Sequence, residues 1–330
     1  MTEISMTTRV LSALTPAEIP AAAAEAAALL RAGEVVGLPT ETVYGLAGNA
    51  LDAAAVARIF AAKARPSFDP LIVHVADAGW LERLTTAGGA TAALAATLAA
   101  RFWPGPLTLV LPARELVPDL VRSGLPTVAL RCSAHPVMAA VVAALGAPVA
   151  APSANRFGRI SPVTAAHVVE ELGGRIPLVL DGGPCRHGLE STIVAVQDDG
   201  LVLLRPGPVT REQLEAHAPV TKARADSAVA APGMLASHYA PRTPLRLLPP
   251  GAPTPADAAR CGLLAFGTAS PGDYAAREIL PADPALAAPR FFAALRRLDA
   301  AGVARIDAQQ VADTGLGAAL MDRLRRAAHD

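Results

Sequence analysis

Glu34-Val35-Val36-Gly37-Leu38-Pro39-Thr40-Glu41-Thr42-Val43-Tyr44-Gly45-Leu46 carries a short apolar strand straight into a polar turn. Pro39 has no N–H to give to a sheet, so the strand over 34–38 ends there. Gly45 frees the backbone beyond it. The hydroxyls of Thr40 and Thr42 therefore stand at the carboxyl end of a strand, the edge at which open α/β sheets receive ligands. Upstream, Thr15-Pro16-Ala17-Glu18 has the form of a helix start, and an alanine-rich helix is expected to run to Arg31 with Gly33 as its stop.

The alternation continues outward from this unit. Strands are expected at 71–75, 107–111, 127–131, 149–151, 178–180, 191–196 and 201–204, between helices near 52–63, 90–102, 136–145, 164–172 and 210–217. Strands and helices so mixed predict an α/β (α+β) fold around a twisted mixed sheet, over residues 1–218. From Pro219 to Pro244 neither period is sustained, and this Ala-, Pro- and Ser-rich stretch reads as a linker. Beyond it, strands at 245–248, 262–266, 278–280 and 304–306 alternate with helices near 285–300 and 315–328, a smaller Rossmann-like domain over 245–330. It lacks G-x-G-x-x-G, so a dinucleotide site is not expected there.

Composition narrows the function. The 330 residues carry 29 Lys and Arg against 29 Asp and Glu, and this zero net charge argues against a protein whose task is to grip nucleic-acid backbone. It leaves room for a local cluster of arginines around a small phosphorylated ligand. Cys132, Cys185 and Cys261 form no C-x-x-C pair and fit no zinc spacing, so a reducing compartment is expected. No basic segment followed by an apolar core opens the chain, and the longest apolar run, 136–151, is broken by Gly146 and Pro148. A soluble cytoplasmic protein with no membrane contact is the expectation.

Several loops carry candidate chemistry. In Lys63-Ala64-Arg65-Pro66-Ser67-Phe68-Asp69-Pro70, Pro66 pushes Arg65 toward extended geometry. Lys63 and Arg65 then suit polyphosphate oxygens, with lysine as point charge and arginine as fork, or they merely complement a helix end. His74 lies in an apolar strand and reads as a core histidine or a ligand contact. Trp103-Pro104-Gly105-Pro106 reads as a rigid turn. Thr127, Ala129 and Arg131 share one strand face, and an arginine there needs an anion, from protein or ligand. Ala151-Pro152-Ser153-Ala154-Asn155 leaves another strand and continues to Ser161-Pro162 before a helix, a ready anion site. Asp181-Gly182-Gly183, Gly188-Leu189-Glu190-Ser191-Thr192 and Arg205-Pro206-Gly207 repeat the theme. Each alone also reads as plain turn chemistry; five in one domain point to a shared site. No P-loop, G-x-S-x-G, H-E-x-x-H or two-metal carboxylate cluster is present. Positioning and charge stabilisation are thus expected to carry the reaction, with no covalent intermediate and no protein-held metal.

PTETVYGL, K-x-RP followed by PLIVHV, WPGPLT, ALR, APSAN, DGG, G-L-E-S-T and LRPG occur in this order over about residues 9–217. The ordered set resembles the YrdC-type L-threonylcarbamoyladenylate synthases. The APGM and HYAP segments of the linker and the C-terminal domain resemble the long, two-domain form of that family. The resemblance implies a concave sheet with a deep polar cavity, in which L-threonine, bicarbonate and ATP yield threonylcarbamoyl-AMP and pyrophosphate. It implies that Thr40, His74, Arg131 and Ser191 contact threonine. It implies that Lys63, Ser67, Thr127, Ala151, Ser153, Ser161, Arg205 and Tyr239 contact the nucleotide, with Mg²⁺ accompanying ATP. Lys63, Arg65 and Arg205 would stabilise the transferring phosphate, and Tyr239 with His238 would fold over the nucleotide as a lid. A tRNA threonylcarbamoyl transferase would take the product, with weak tRNA or double-stranded RNA contact. Ala64 departs from the family, which has Gly or Asn there, and Asp322 stands where asparagine is frequent. A YrdC-type RNA-binding module without catalysis, and a carbamoyl transferase using carbamoyl phosphate, are the alternative readings.

Overall fold

The computed structural model describes residues 7–223, 238–268 and 272–328. The N-terminal domain begins with β1 (Arg9–Ser12), α1 (Ile19–Arg31), β2 (Val36–Leu38), β3 (Gly45–Asn49), α2 (Ala53–Lys63) and β4 (Ile72–His74). It continues through α3 (Trp80–Leu84), α4 (Gly89–Phe102), β5 (Leu107–Pro112), α5 (Asp119–Arg122), β6 (Thr127–Arg131), α6 (Pro136–Leu145) and β7 (Val149–Ala150). It closes with α7 (Ala165–Leu172), β8 (Leu178–Asp181), β9 (Thr192–Gln197), β10 (Gly200–Arg205), α8 (Arg211–Glu215) and β11 (Val220–Lys222). The C-terminal domain holds β12 (Leu245–Leu248), β13 (Cys261–Phe266), β14 (Ala276–Leu280), α9 (Pro284–Ala300), β15 (Arg305–Gln309) and α10 (Gly315–Ala327).

Among the described residues the first domain forms one mixed sheet in the order β1-β8-β2-β3-β7-β4-β6-β5-β9-β10-β11. The second forms a separate parallel sheet, β12-β15-β13-β14. The alanines of α1 explain one wall. Ala22, Ala23, Ala26, Ala27 and Leu30 line a face small enough to lie close on Val137, Met138, Val141 and Val142 of α6. Together they cover Val36, Leu38, Val149, Leu178 and Leu180 on the sheet below. In the second domain Phe291, Phe292 and Leu295 of α9 and Leu320 and Leu324 of α10 are fully buried. They belong to the same apolar cluster as the first domain's α2 and β5, so one core runs through both domains.

Most expected elements stand within a residue or two of their predicted bounds, and the exceptions have local causes. The first helix begins at Ile19 and not at the proline of 15–18, because the Glu18 carboxylate turns back to accept from Thr15 N and Thr15 Oγ1, both at 2.9 Å. Gly45–Asn49, read only as a turn exit, is a full strand pairing β2 and β7. Val220–Lys222, assigned to the linker, extends the first sheet by pairing parallel with β10. Pro232-Gly233-Met234 lies outside the described residues.

Lys63 and Arg65 are placed by a helix stop, not by extended backbone. Ala64 adopts the left-handed conformation, φ 51°, and its N–H and that of Arg65 close on Ala61 O and Phe60 O. A Cβ is strained there. Ala64→Gly is expected to raise stability by about 0.5–1 kcal/mol after the entropy of glycine is subtracted. A higher urea midpoint with an unchanged slope is the measurement that checks it.

Candidate active site

The reversal at Ala64 sends the side chains of Lys63 and Arg65 inward. Lys63 Nζ donates to the carbonyls of Ser153 and Asn155, each at 2.5 Å. Its own carbonyl accepts from Phe157 N at 2.9 Å, so lysine and the 153–157 loop hold each other. Burial first, then the neighbouring Arg65, push the ammonium well below its usual pKa. An arriving anion would reverse that shift. Arg65 is also buried. It lies 2.8 Å from Asp69 Oδ2, donates to Asp69 O and Pro70 O, and stacks over Phe157 at 5.8 Å.

Across the sheet, β4 and β6 pair in register so that His74 faces Arg131. Arg131 contacts Glu41 Oε1 at 2.7 Å and donates to Gly105 O at 3.2 Å. The Trp103–Pro106 turn, read as packing alone, thus also orients a site arginine. Burial opposes ionisation of Glu41, but Arg131 and the Ser133 hydroxyl outweigh it and hold the carboxyl at about 2. Thr40 Oγ1 is tied to Thr42 Oγ1 at 2.8 Å and to Val43 O at 2.6 Å, so the turn after β2 is rigid. His74 is fully enclosed, with both ring nitrogens lacking a partner among the described residues. Burial and then Arg131 lower its pKa to about 3, so the imidazole is neutral.

The third wall comes from the β8–β9 connection and the end of β10. Arg205 donates to Ser191 O and Ser191 Oγ, both at 3.1 Å, and Ser191 Oγ meets Thr108 Oγ1 at 2.8 Å. Gly207 permits this. A Cβ on it would sit 2.4 Å from Thr192 N and 2.7 Å from Glu190 O, so the Arg205-Pro206-Gly207 turn must end in glycine. Glu190 accepts from Ser161 Oγ and pairs with Arg323 at 3.0 Å.

These walls converge on one cavity lined by Thr40, Arg65, His74, Arg131, Ala151, Ser153, Ser191 and Arg205. His238 and Tyr239 close it from the linker side. Tyr239 is held in left-handed backbone, φ 64°, and Ala240 N donates to Gly158 O at 2.8 Å. About 40 Å³ of free space remains, room for roughly three waters. Lys63 and Ser161 lie one layer behind the lining, while Ser67 is exposed on its loop and Thr127 is at the far end of β6, four residues from Arg131. The structure therefore does not bring Ser67 or Thr127 to the cavity. Glu41, Asp69, Glu190 and Arg323 were missed as site residues. The signal was available for three of them, as acids inside the quoted motifs, since a buried cation in a neutral protein needs a buried acid. Among the described residues no cluster of three or more His, Cys, Asp or Glu side chains could hold a metal, and Glu41, Asp69 and Glu190 are each paired with an arginine.

A mixed α/β sheet bearing this arginine-lined cavity, joined to a small parallel-sheet domain, matches known proteins closely. The family model described as Telomere recombination (Sua5, YciO, YrdC) matches residues 28–207, and that for the threonylcarbamoyl-AMP synthase C-terminal domain matches 209–329. The chain is 43% identical to threonylcarbamoyl-AMP synthase of Bacillus subtilis and 41% identical to that of Pyrococcus abyssi, in each case over 92% of both chains. The crystal structure of P. abyssi Sua5 complexed with L-threonine superposes with TM-score 0.87 at 38% identity, covering 97% of this chain and 98% of that one. A P. abyssi Sua5 variant with adjacent His and Tyr replaced by Ala gives TM-score 0.88 at 37% identity, covering 98% and 96%. This chain belongs to the Sua5/YciO/YrdC family, in its two-domain form.

Acid should loosen the fold through the enclosed histidines. His74 is held at about 3 and His167, by burial and then Arg296 and Arg297, at about 4, against 6.5 for free imidazole. The unfolded chain therefore binds more protons below 6.5, and stability present above that value is lost as pH falls toward 4 and 3. Glu41, held at about 2 against 4.5, adds a loss of the same sign at lower pH. The urea midpoint is expected to fall steadily between about pH 7 and about pH 5. A flat profile over that range would contradict the enclosure of these imidazoles.

Proposed function

We propose that this chain is an L-threonylcarbamoyladenylate synthase, converting L-threonine, bicarbonate and ATP to threonylcarbamoyl-AMP, pyrophosphate and water. The observation that carries the reading is the convergence of Arg65, Arg131 and Arg205, all buried, on one cavity, with Lys63 buried behind its Ser153 wall. A cavity lined by three guanidinium groups suits a polyphosphate beside a carboxylate.

The chemistry follows from charge and closure. Threonine's amine forms an N–C bond to carbon dioxide released from bicarbonate, losing a proton, and the carbamate oxygen then attacks the α-phosphorus of ATP. The bond from that phosphorus to the bridging oxygen breaks, and pyrophosphate leaves. Arg131, oriented by Glu41 and Gly105, faces the amino acid's carboxylate, with Thr40, neutral His74 and Ser191 around its polar groups. Lys63, Arg65 and Arg205 face the charge that grows on the transferring and leaving phosphates. Glu41, Asp69 and Glu190 already pair with arginines, so none of them would hold Mg²⁺; an ion accompanying ATP would supply charge neutralisation to its phosphates. A carbamate hydrolyses readily, so exclusion of water by His238 and Tyr239 protects it, and their withdrawal admits the nucleotide. The adenylate then passes to a cytoplasmic tRNA threonylcarbamoyl transferase. With zero net charge, any contact with tRNA is weak.

Purified protein given ATP, threonine and bicarbonate is expected to release pyrophosphate only when all three are present. Lys63→Ala removes charge-assisted contacts worth roughly 1.5–3 kcal/mol, a loss of roughly ten- to a hundredfold in kcat/KM with the fold retained. Release of pyrophosphate without threonine would overturn the proposal.

A further inference from the structure

Arg323 is the largest fully buried side chain described, and it comes from the other domain. It projects from α10, whose last turn also carries Arg325, half exposed at the surface. Its guanidinium has no free space to meet, because the cavity lining does not include it. Instead it touches the backs of three lining elements. Nε lies 3.0 Å from Glu190 Oε2, NH1 donates to Pro206 O at 2.7 Å, and NH2 donates to Glu190 O at 3.4 Å. The ring of Tyr239 lies 5.2 Å from the guanidinium carbon. Asp322 pairs with Arg323 and Arg326, each at 2.9 Å, so two acids and two arginines balance at this junction.

The consequence concerns the cavity wall. Glu190 and Tyr239 both line the cavity, and Ser161, behind the lining, gives its one proton to the other oxygen of Glu190. The Glu190 side chain is thus held from two sides, by the Ser161 hydroxyl and by the Arg323 guanidinium.

We propose that Arg323 is a positioning residue of the nucleotide subsite, through which docking of the C-terminal domain sets affinity for ATP. It acts from behind on Glu190 and Tyr239, which line the cavity, and touches no reacting atom. The proposal rests on the nucleotide reading of the cavity given above.

The test compares steady-state constants for ATP and for threonine in variants shown to fold by circular dichroism and gel filtration. Arg323→Met keeps most of the volume and removes the charge and the fork. The expected result is a KM for ATP raised about tenfold, with kcat changed by less than about threefold and the KM for threonine by less than about twofold. Arg323→Lys, which keeps the charge without the fork, should move the same constant less. Adding Glu190→Gln to Arg323→Met should recover part of the loss, because a neutral amide leaves no buried charge unpaired. Folded Arg323→Met or Arg323→Lys with an unchanged KM for ATP would overturn the proposal. So would equal shifts in all three constants, or a double variant as impaired as the two losses added. Lys63→Ala separates the two levels. If it leaves kcat/KM for ATP unchanged, the nucleotide reading itself fails; if it lowers that constant while the Arg323 variants leave the KM for ATP unchanged, only the role of Arg323 fails.

Discussion

Taking an arginine or lysine out of water costs several kcal/mol unless its charge and its N–H groups are met. The site of this protein is organised around that constraint. Arg65 and Arg131 each face one carboxylate, from Asp69 and Glu41, and Arg323 faces two, from Glu190 and Asp322. Lys63 is met by two carbonyls, and Arg205 donates to the backbone and hydroxyl of Ser191. Carbonyls satisfy the hydrogen bonds of the Lys63 ammonium without neutralising it, while the three carboxylate-paired arginines are held in place from both sides.

The pairing explains why the motifs must travel together. Asp69 holds the arginine two residues after Lys63, Glu41 holds the arginine ending β6, and Glu190 links Ser161 to the second domain. Removing one acid would strand its cation and distort a wall contributed by a different stretch of chain. Hydroxyls serve in the same way as linkers, with Thr108 meeting Ser191 and Ser133 meeting Glu41. Backbone shape matters as much at two points. The left-handed Ala64 turns two cations into the site, and Gly207 lets the Arg205 turn lie on the Glu190–Thr192 segment.

The two domains are joined by more than a tether. Phe291 and Phe292 of α9 are fully buried, Phe292 lies 5.9 Å from Tyr239, and Tyr239 also borders the cavity. The linker's return segment is thus sandwiched between the cavity and the second domain. The wall of the cavity and the docking of that domain therefore share the same side chains.

Sequence periodicity determined most of the elements, because apolar runs bounded by Gly and Pro are short-range signals. The strands 127–131 and 245–248 and the helix 136–145 stand where their patterns end. Loop motifs likewise marked Thr40, His74, Arg131, Ser153, Ser191 and Arg205 as a set. The chain alone could not place Gly45–Asn49 as a strand, since its glycines have low strand propensity and only pairing with β2 and β7 makes it one. Nor could it join Arg131 to Glu41, or Arg323 to Glu190 across 133 residues. Those are decided by which buried charges end up within reach of one another, a long-range property that local sequence does not encode.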